Sequence, residues 1–102
     1  MQNMKYYVAE SVMNDPLPVT AEELKSVFVP QHVAHLQEGI AAGLLLLGGP
    51  NETGGGFLLL RAESRAEAEA FLERDPFRKN GINRFRLTEF TPNERSAFVL
   101  DW

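Results

Sequence analysis

Two histidines, His32 and His35, and a carboxylate placed directly before a proline, Asp75, are the side chains in this sequence whose types suit proton transfer. An imidazole changes charge within the physiological pH range, and a carboxylate bonded to one ring nitrogen fixes the tautomer and raises the basicity of the other. Both histidines follow Pro30, a residue favoured in the first turn of a helix. Val29, Val33, Leu36 and Ile40 define an apolar stripe on that helix. At about 100° per residue, His32 falls about 70° from the stripe's centre and His35 about 130° away. His32 is therefore expected at the edge of the buried face and His35 toward solvent. An edge position gives a base partial desolvation together with access to a cleft, which favours His32 as the functional histidine.

Each of these residues also has a structural reading. His32 can be a half-buried histidine bonded to a nearby carbonyl. Asp75 can cap the turn that Pro76 begins, and it orients His32 only if the fold joins the two. His32, His35 and Glu38 share a helix, but no further ligand is spaced to complete a metal site and HExxH is absent, so no metal is expected. Arg84 and Arg86 alternate with Phe85 and Leu87 on the last strand, where they form either a solvated face or a site for an anion. Gly48-Gly49-Pro50 and Gly54-Gly55-Gly56 match neither phosphate-binding glycine pattern and read as turns.

The totals exclude several function classes. The chain has 102 residues, 44% hydrophobic and 24% charged, which fits one globular domain over 1–102. A net charge of −4 with scattered Lys and Arg opposes binding to a phosphate backbone, so no nucleic-acid partner is expected. The absence of Cys removes disulfides, thiolate catalysis and Cys-type zinc sites, and accords with a cytoplasmic location. No targeting signal is visible, and no apolar run approaches the ~18 residues of a membrane span.

The elements that must position His32 and Asp75 follow from local patterns. Lys5 to Val12 reads as a first strand, and Asn14-Asp15-Pro16-Leu17-Pro18 as loop. Thr20 and Glu23 form a capping box at the start of a helix. Pro30 is expected to divide that helix into a short piece over Ala21 to Phe28 and a longer one from Pro30 to Ala42, with Gly43 as its cap. Leu44 to Leu47 and Phe57 to Leu60 read as a hairpin of strands apolar on both faces. Ser64 and Glu67 form a second capping box, whose helix stops at Asp75-Pro76. Arg84 to Thr88 alternates as a half-buried strand.

The order βαββαβ is that of a ferredoxin-like α+β domain, a four-stranded antiparallel sheet with both helices on one face. The other face is then bare and apolar, which predicts a homodimer packed sheet to sheet. The tail at 93–102, with Phe98, Val99, Leu100 and Trp102, has two readings: it joins that interface or docks on its own subunit.

Pro30-Gln31-His32 at a helix start, Gly43 leading a strand that ends Gly49-Pro50, and Asp75-Pro76-Phe77 followed by Gly81 together resemble the YCII-related (YciI-like) family. The resemblance covers about half the chain in motif and nearly all of it in element order. It implies a dimeric α/β barrel with a cleft in which His32 and Asp75 form an acid–base pair. It also implies chemistry on aromatic ring compounds, since some members resemble enzymes of that kind, including a dehydrochlorinase of chlorinated hydroxyquinols. One departure stands out: where relatives often carry a basic residue before Pro-x-His, this chain has Val29.

Two functions remain open. The first is a cofactor-independent lyase or isomerase that moves a proton on a small aromatic or enolisable molecule, with His32 as base and Asp75 orienting it. The second is a non-catalytic ligand-binding or accessory protein on the same fold.

Overall fold

In the computed structural model, which describes residues 4–94, strand β1 spans Lys5–Met13 at the centre of the sheet. The tail residues Phe98, Val99, Leu100 and Trp102 lie outside the described residues. Strands β2 (Leu45–Pro50), β3 (Gly56–Ala62) and β4 (Asn83–Phe90) complete a four-stranded sheet in the order β2-β3-β1-β4. Every neighbouring pair is antiparallel. With helices on one face this is the expected βαββαβ domain. No helix among the described residues is long and apolar enough to cross a membrane.

The first helical stretch begins as its sequence predicts. Thr20 Oγ1 accepts from Glu23 N–H at 3.0 Å and Glu23 Oε1 accepts from Thr20 N–H at 2.9 Å, closing the capping box. The bond from the Thr20 backbone, then that from its side chain, holds the Glu23 carboxyl below its ordinary range. The break expected at Pro30 is absent. Helix α1 (Ala21–Glu23) passes through a π-helical turn over Leu24–Phe28 into α2 (Val29–Ala41). Pro30 has no N–H to donate, and its ring would meet the Ser26 carbonyl in α geometry. The wider turn, in which Val29 N–H reaches back to Leu24 O, accommodates it without ending the helix.

The second capping box is half made. Ser64 Oγ accepts from Glu67 N–H at 3.2 Å, but the Glu67 carboxylate accepts from Glu63 N–H at 3.0 Å instead of from Ser64. Helix α3 (Arg65–Glu73) follows, and the short α4 (Pro76–Lys79) follows Asp75.

Alternation on the strands settles which side chains meet the helices. Tyr7, Ala9, Leu58, Leu60 and Leu45 are buried against Ala68, Phe71 and Leu72 of α3, with Leu36 of α2 packed at the edge. The opposite face carries Tyr6, Val8 and Val12, aligned with Phe90, Leu59 and Arg84 on neighbouring strands. A bulge at Leu46 separates the pairs Leu45↔Leu60 and Leu47↔Leu59. Two residues that plain alternation would put on one face therefore point opposite ways, Leu45 to the core and Leu47, 52% exposed, to the outer face.

The inward face of α2 is not its most apolar stripe. Val29, Val33 and Ile40 are exposed, and the side that packs is His32, His35, Leu36 and Gly39. It is rotated by about 80° from the apolar stripe. His35 accordingly does not point to solvent: it is half-buried, stacks on Phe71 with ring centroids 4.4 Å apart, and donates Nε2–H to the Phe71 carbonyl at 2.8 Å.

Gly39 is what allows this approach. A Cβ there would lie 2.5 Å from Cζ of Phe71, a ring 2% exposed and without room to retreat. Gly39→Ala should destabilise the fold by about 1–2 kcal/mol net, the overpacking cost exceeding the ~1 kcal/mol that alanine gains in a helix. Denaturant midpoints check this, with the exposed Gln37→Ala on the same helix expected to be neutral.

Candidate functional site

Two local structures bring the site together. Pro30 sets the start of α2 and places His32 in its first turns, half-buried. Asp75 follows the end of α3 and has the extended backbone of an N-cap for α4. Asp75 makes the capping contact and the histidine contact at once. Its Oδ1 accepts the Phe77 N–H at 2.9 Å, capping α4, and its two oxygens lie 2.9 and 2.8 Å from Nδ1 of His32. The carboxylate is 1% exposed. Phe77 closes the arrangement by stacking on the imidazole, ring centroids 4.0 Å apart and planes within 6°.

The chemical consequence lies in the tautomer. A carboxylate only accepts, so Nδ1 carries the hydrogen and donates it to Asp75. In the neutral ring Nε2 is then the acceptor, and it has no hydrogen bond within the described residues. Asp75 and Phe77 fix the ring's position and plane, which is the support that a general base needs.

His32 lines a cleft of about 340 Å³ between α2, α4 and the sheet. Val29, Val33 and Leu36 of α2, Leu58, Phe77 and Phe85 give it apolar walls. The β2–β3 hairpin closes one side, because Gly55 lies so near β1 that a Cβ would collide with the Ser11 carbonyl. Among the described residues Lys, Arg, Asp and Glu do not line the cleft, and His32 is the one ionisable side chain that does.

The structure separates the other candidates from this site. His35 is engaged with Phe71 and Glu38 is exposed, so the three residues do not converge. No group of three or more metal-ligating side chains occurs among the described residues. Arg84 donates to Asn14 Oδ1 at 2.6 Å, Arg86 is exposed opposite Glu10, and neither lines the cleft.

Phe77, Ser11 and Asn83 are among the cleft residues that the sequence does not mark as members of the site. Phe77 was signalled by its place two residues after Asp75. Asn83 was signalled by alternation, being the polar member of the series Asn83, Phe85, Leu87 that faces the helices. Ser11 gave no signal beyond lying on β1.

A family described as the YCII-related domain matches residues 4–91. A search of curated proteins returns no significant match. Among solved structures, the chain is similar to 5-chloro-2-hydroxyhydroquinone dehydrochlorinase from Burkholderia phenoliruptrix AC1100, in complex with 2,5-dihydroxybenzoquinone. The TM-score is 0.68 at 22% identity, covering 84% of this chain and 93% of that one. At that identity the likeness concerns the fold.

The geometry makes a spectroscopic prediction. Long-range ¹H–¹⁵N correlation should show neutral His32 as the Nδ1–H tautomer, and Asp75→Asn should disturb that preference while keeping the fold, since asparagine caps helices as well as aspartate. Asp75→Ala should lose the cap too and cost about 1–3 kcal/mol in denaturant unfolding.

Proposed function

Because the chain belongs to the YCII-related domain family, we propose that it is a cofactor-independent enzyme that moves a proton on a small aromatic or enolisable molecule held in the His32 cleft. The observation that carries the reading is the buried Asp75 carboxylate 2.8–2.9 Å from Nδ1 of a histidine that lines the cleft. Nε2 takes a proton from an acidic position of the ligand. In an isomerisation the electron pair left behind takes that proton back from the imidazolium at another carbon of the ligand, which restores the neutral histidine. In an elimination it expels a leaving group as its anion from a conjugated carbon, and the imidazolium, paired with Asp75, releases its proton to water. Apolar walls keep water from competing for the base. The structural neighbour is by its name a dehydrochlorinase, an activity that removes hydrogen chloride, and an elimination accords with that name without fixing the substrate.

The active unit in this reading is a homodimer in a cytoplasmic setting. Its support is the sheet face turned away from the helices, where Leu47 and Phe57 are 52% and 45% exposed beside Val8, Val12 and Leu59. An apolar surface of that extent is normally covered. Packing the same face of a second copy against it covers both at once.

Two measurements test these statements. Turnover of a panel of hydroxyquinols, enol lactones and small acids should find a substrate whose kcat/KM falls about 10²–10⁴-fold in His32→Gln. Saturable binding with no turnover across the panel would instead make the protein a non-catalytic binder. Sedimentation should give twice the 11.4 kDa of one chain. Leu47→Asp with Phe57→Asp should return the monomer mass, and a wild-type protein that is itself monomeric would defeat the dimer.

A further inference from the structure

Three buried side-chain atoms have no hydrogen-bond partner among the described residues: the Tyr7 hydroxyl, Nε of Arg61 and Oδ1 of Asn83. Tyr7 and Arg61 do not line the cleft, whereas Asn83 does. Asn83 is 2% exposed and begins β4 opposite Met13, on the sheet face that brings Ser11 and Phe85 to the same cavity. A buried amide oxygen is costly to leave without a donor, and folded proteins seldom leave one so. Half a turn about the last side-chain bond exchanges its oxygen and nitrogen, so the group can accept from or donate to whatever enters.

We propose that Asn83 is the residue by which the cleft recognises its ligand, hydrogen-bonding a hydroxyl or carbonyl oxygen of an uncharged, mainly apolar molecule. The proposal rests on the reading of the cleft as a small-molecule site and adds a selection rule to it. A carboxylate or phosphate would enter a cavity with apolar walls and, among the described residues, no lysine or arginine to receive it. A neutral hydroxyl meets the amide without that loss. An analogue lacking the oxygen displaces water from Asn83 and returns nothing, which is how sites built to bond a hydroxyl reject its hydrocarbon counterpart.

The test is an NMR titration of the whole ¹⁵N-labelled chain with 4-methylphenol, toluene and 4-hydroxybenzoate. 4-Methylphenol should move the Asn83 side-chain amide and bind at least tenfold more tightly than either other probe. Asn83→Leu should weaken 4-methylphenol at least tenfold and leave toluene unchanged or tighter, with no fall in thermal midpoint. A purely structural amide would give the reverse, a lowered midpoint with the preference between the two probes intact, and would overturn the proposal. The wild-type comparison stands even if the variant does not fold. Toluene binding as tightly as 4-methylphenol, or shifts at His32 and Val33 with the Asn83 amide unmoved, overturns the assignment alone. Failure of all three probes to move any cleft resonance overturns it together with the small-molecule reading.

Discussion

A carboxylate taken out of water has to be surrounded by donors, and at Asp75 that requirement joins three parts of the molecule. The Phe77 N–H and the His32 imidazole supply those donors. The first bond starts α4, and the start of α4 puts the Phe77 ring flat on the imidazole that makes the second. Removing either donor leaves a buried charge with half its compensation, so the cap and the histidine's alignment are not separable events. The orientation of His32 is thus a property of how α3 hands over to α4. It does not depend on α2 alone.

Much of this was legible because local chemistry and global topology agree. Thr20-x-x-Glu23 closes as written, Gly43 and Leu44 N–H groups turn back onto Ile40 and Gly39 to end α2, and the glycine-rich hairpin joins two antiparallel strands. Asp75-Pro76 could be read as a cap from its residue types. That the same oxygens reach His32 is a contact between residues 43 positions apart, which spacing on one helix does not encode.

Where the structure departs from the local patterns the physical origin is shared, in that local rules assume one partner for each surface. The stripe Val29, Val33, Leu36 and Ile40 is expected in the core because apolar residues face inward, yet only Leu36 packs there, while Val29 and Val33 line a cleft and Ile40 is exposed. The core side of α2 is instead marked by Gly39, whose lack of a side chain looks like weakness in a helix and is in fact the point of closest approach. Pro30 reads as a division between two helical pieces because propensity does not foresee a π-helical turn that accommodates its missing N–H. Asn83 stays unmarked in the sequence because an amide in an alternating strand carries no label distinguishing a structural polar residue from one facing a cavity.

The bulge at Leu46 has a meaning for how such a chain diverges. Residues on either side of it obey opposite parity, so adding or deleting one residue in this edge strand exchanges inner for outer positions along the rest of β2, while β3 and the central strand keep theirs. The outer surface can therefore be rewritten by a change in length instead of a series of substitutions. His32 and Asp75 are carried on α2 and at the α3–α4 junction, outside the strand that absorbs the change. The outer sheet face and the His32–Asp75 contact are in this sense placed on separately inheritable parts of one small domain.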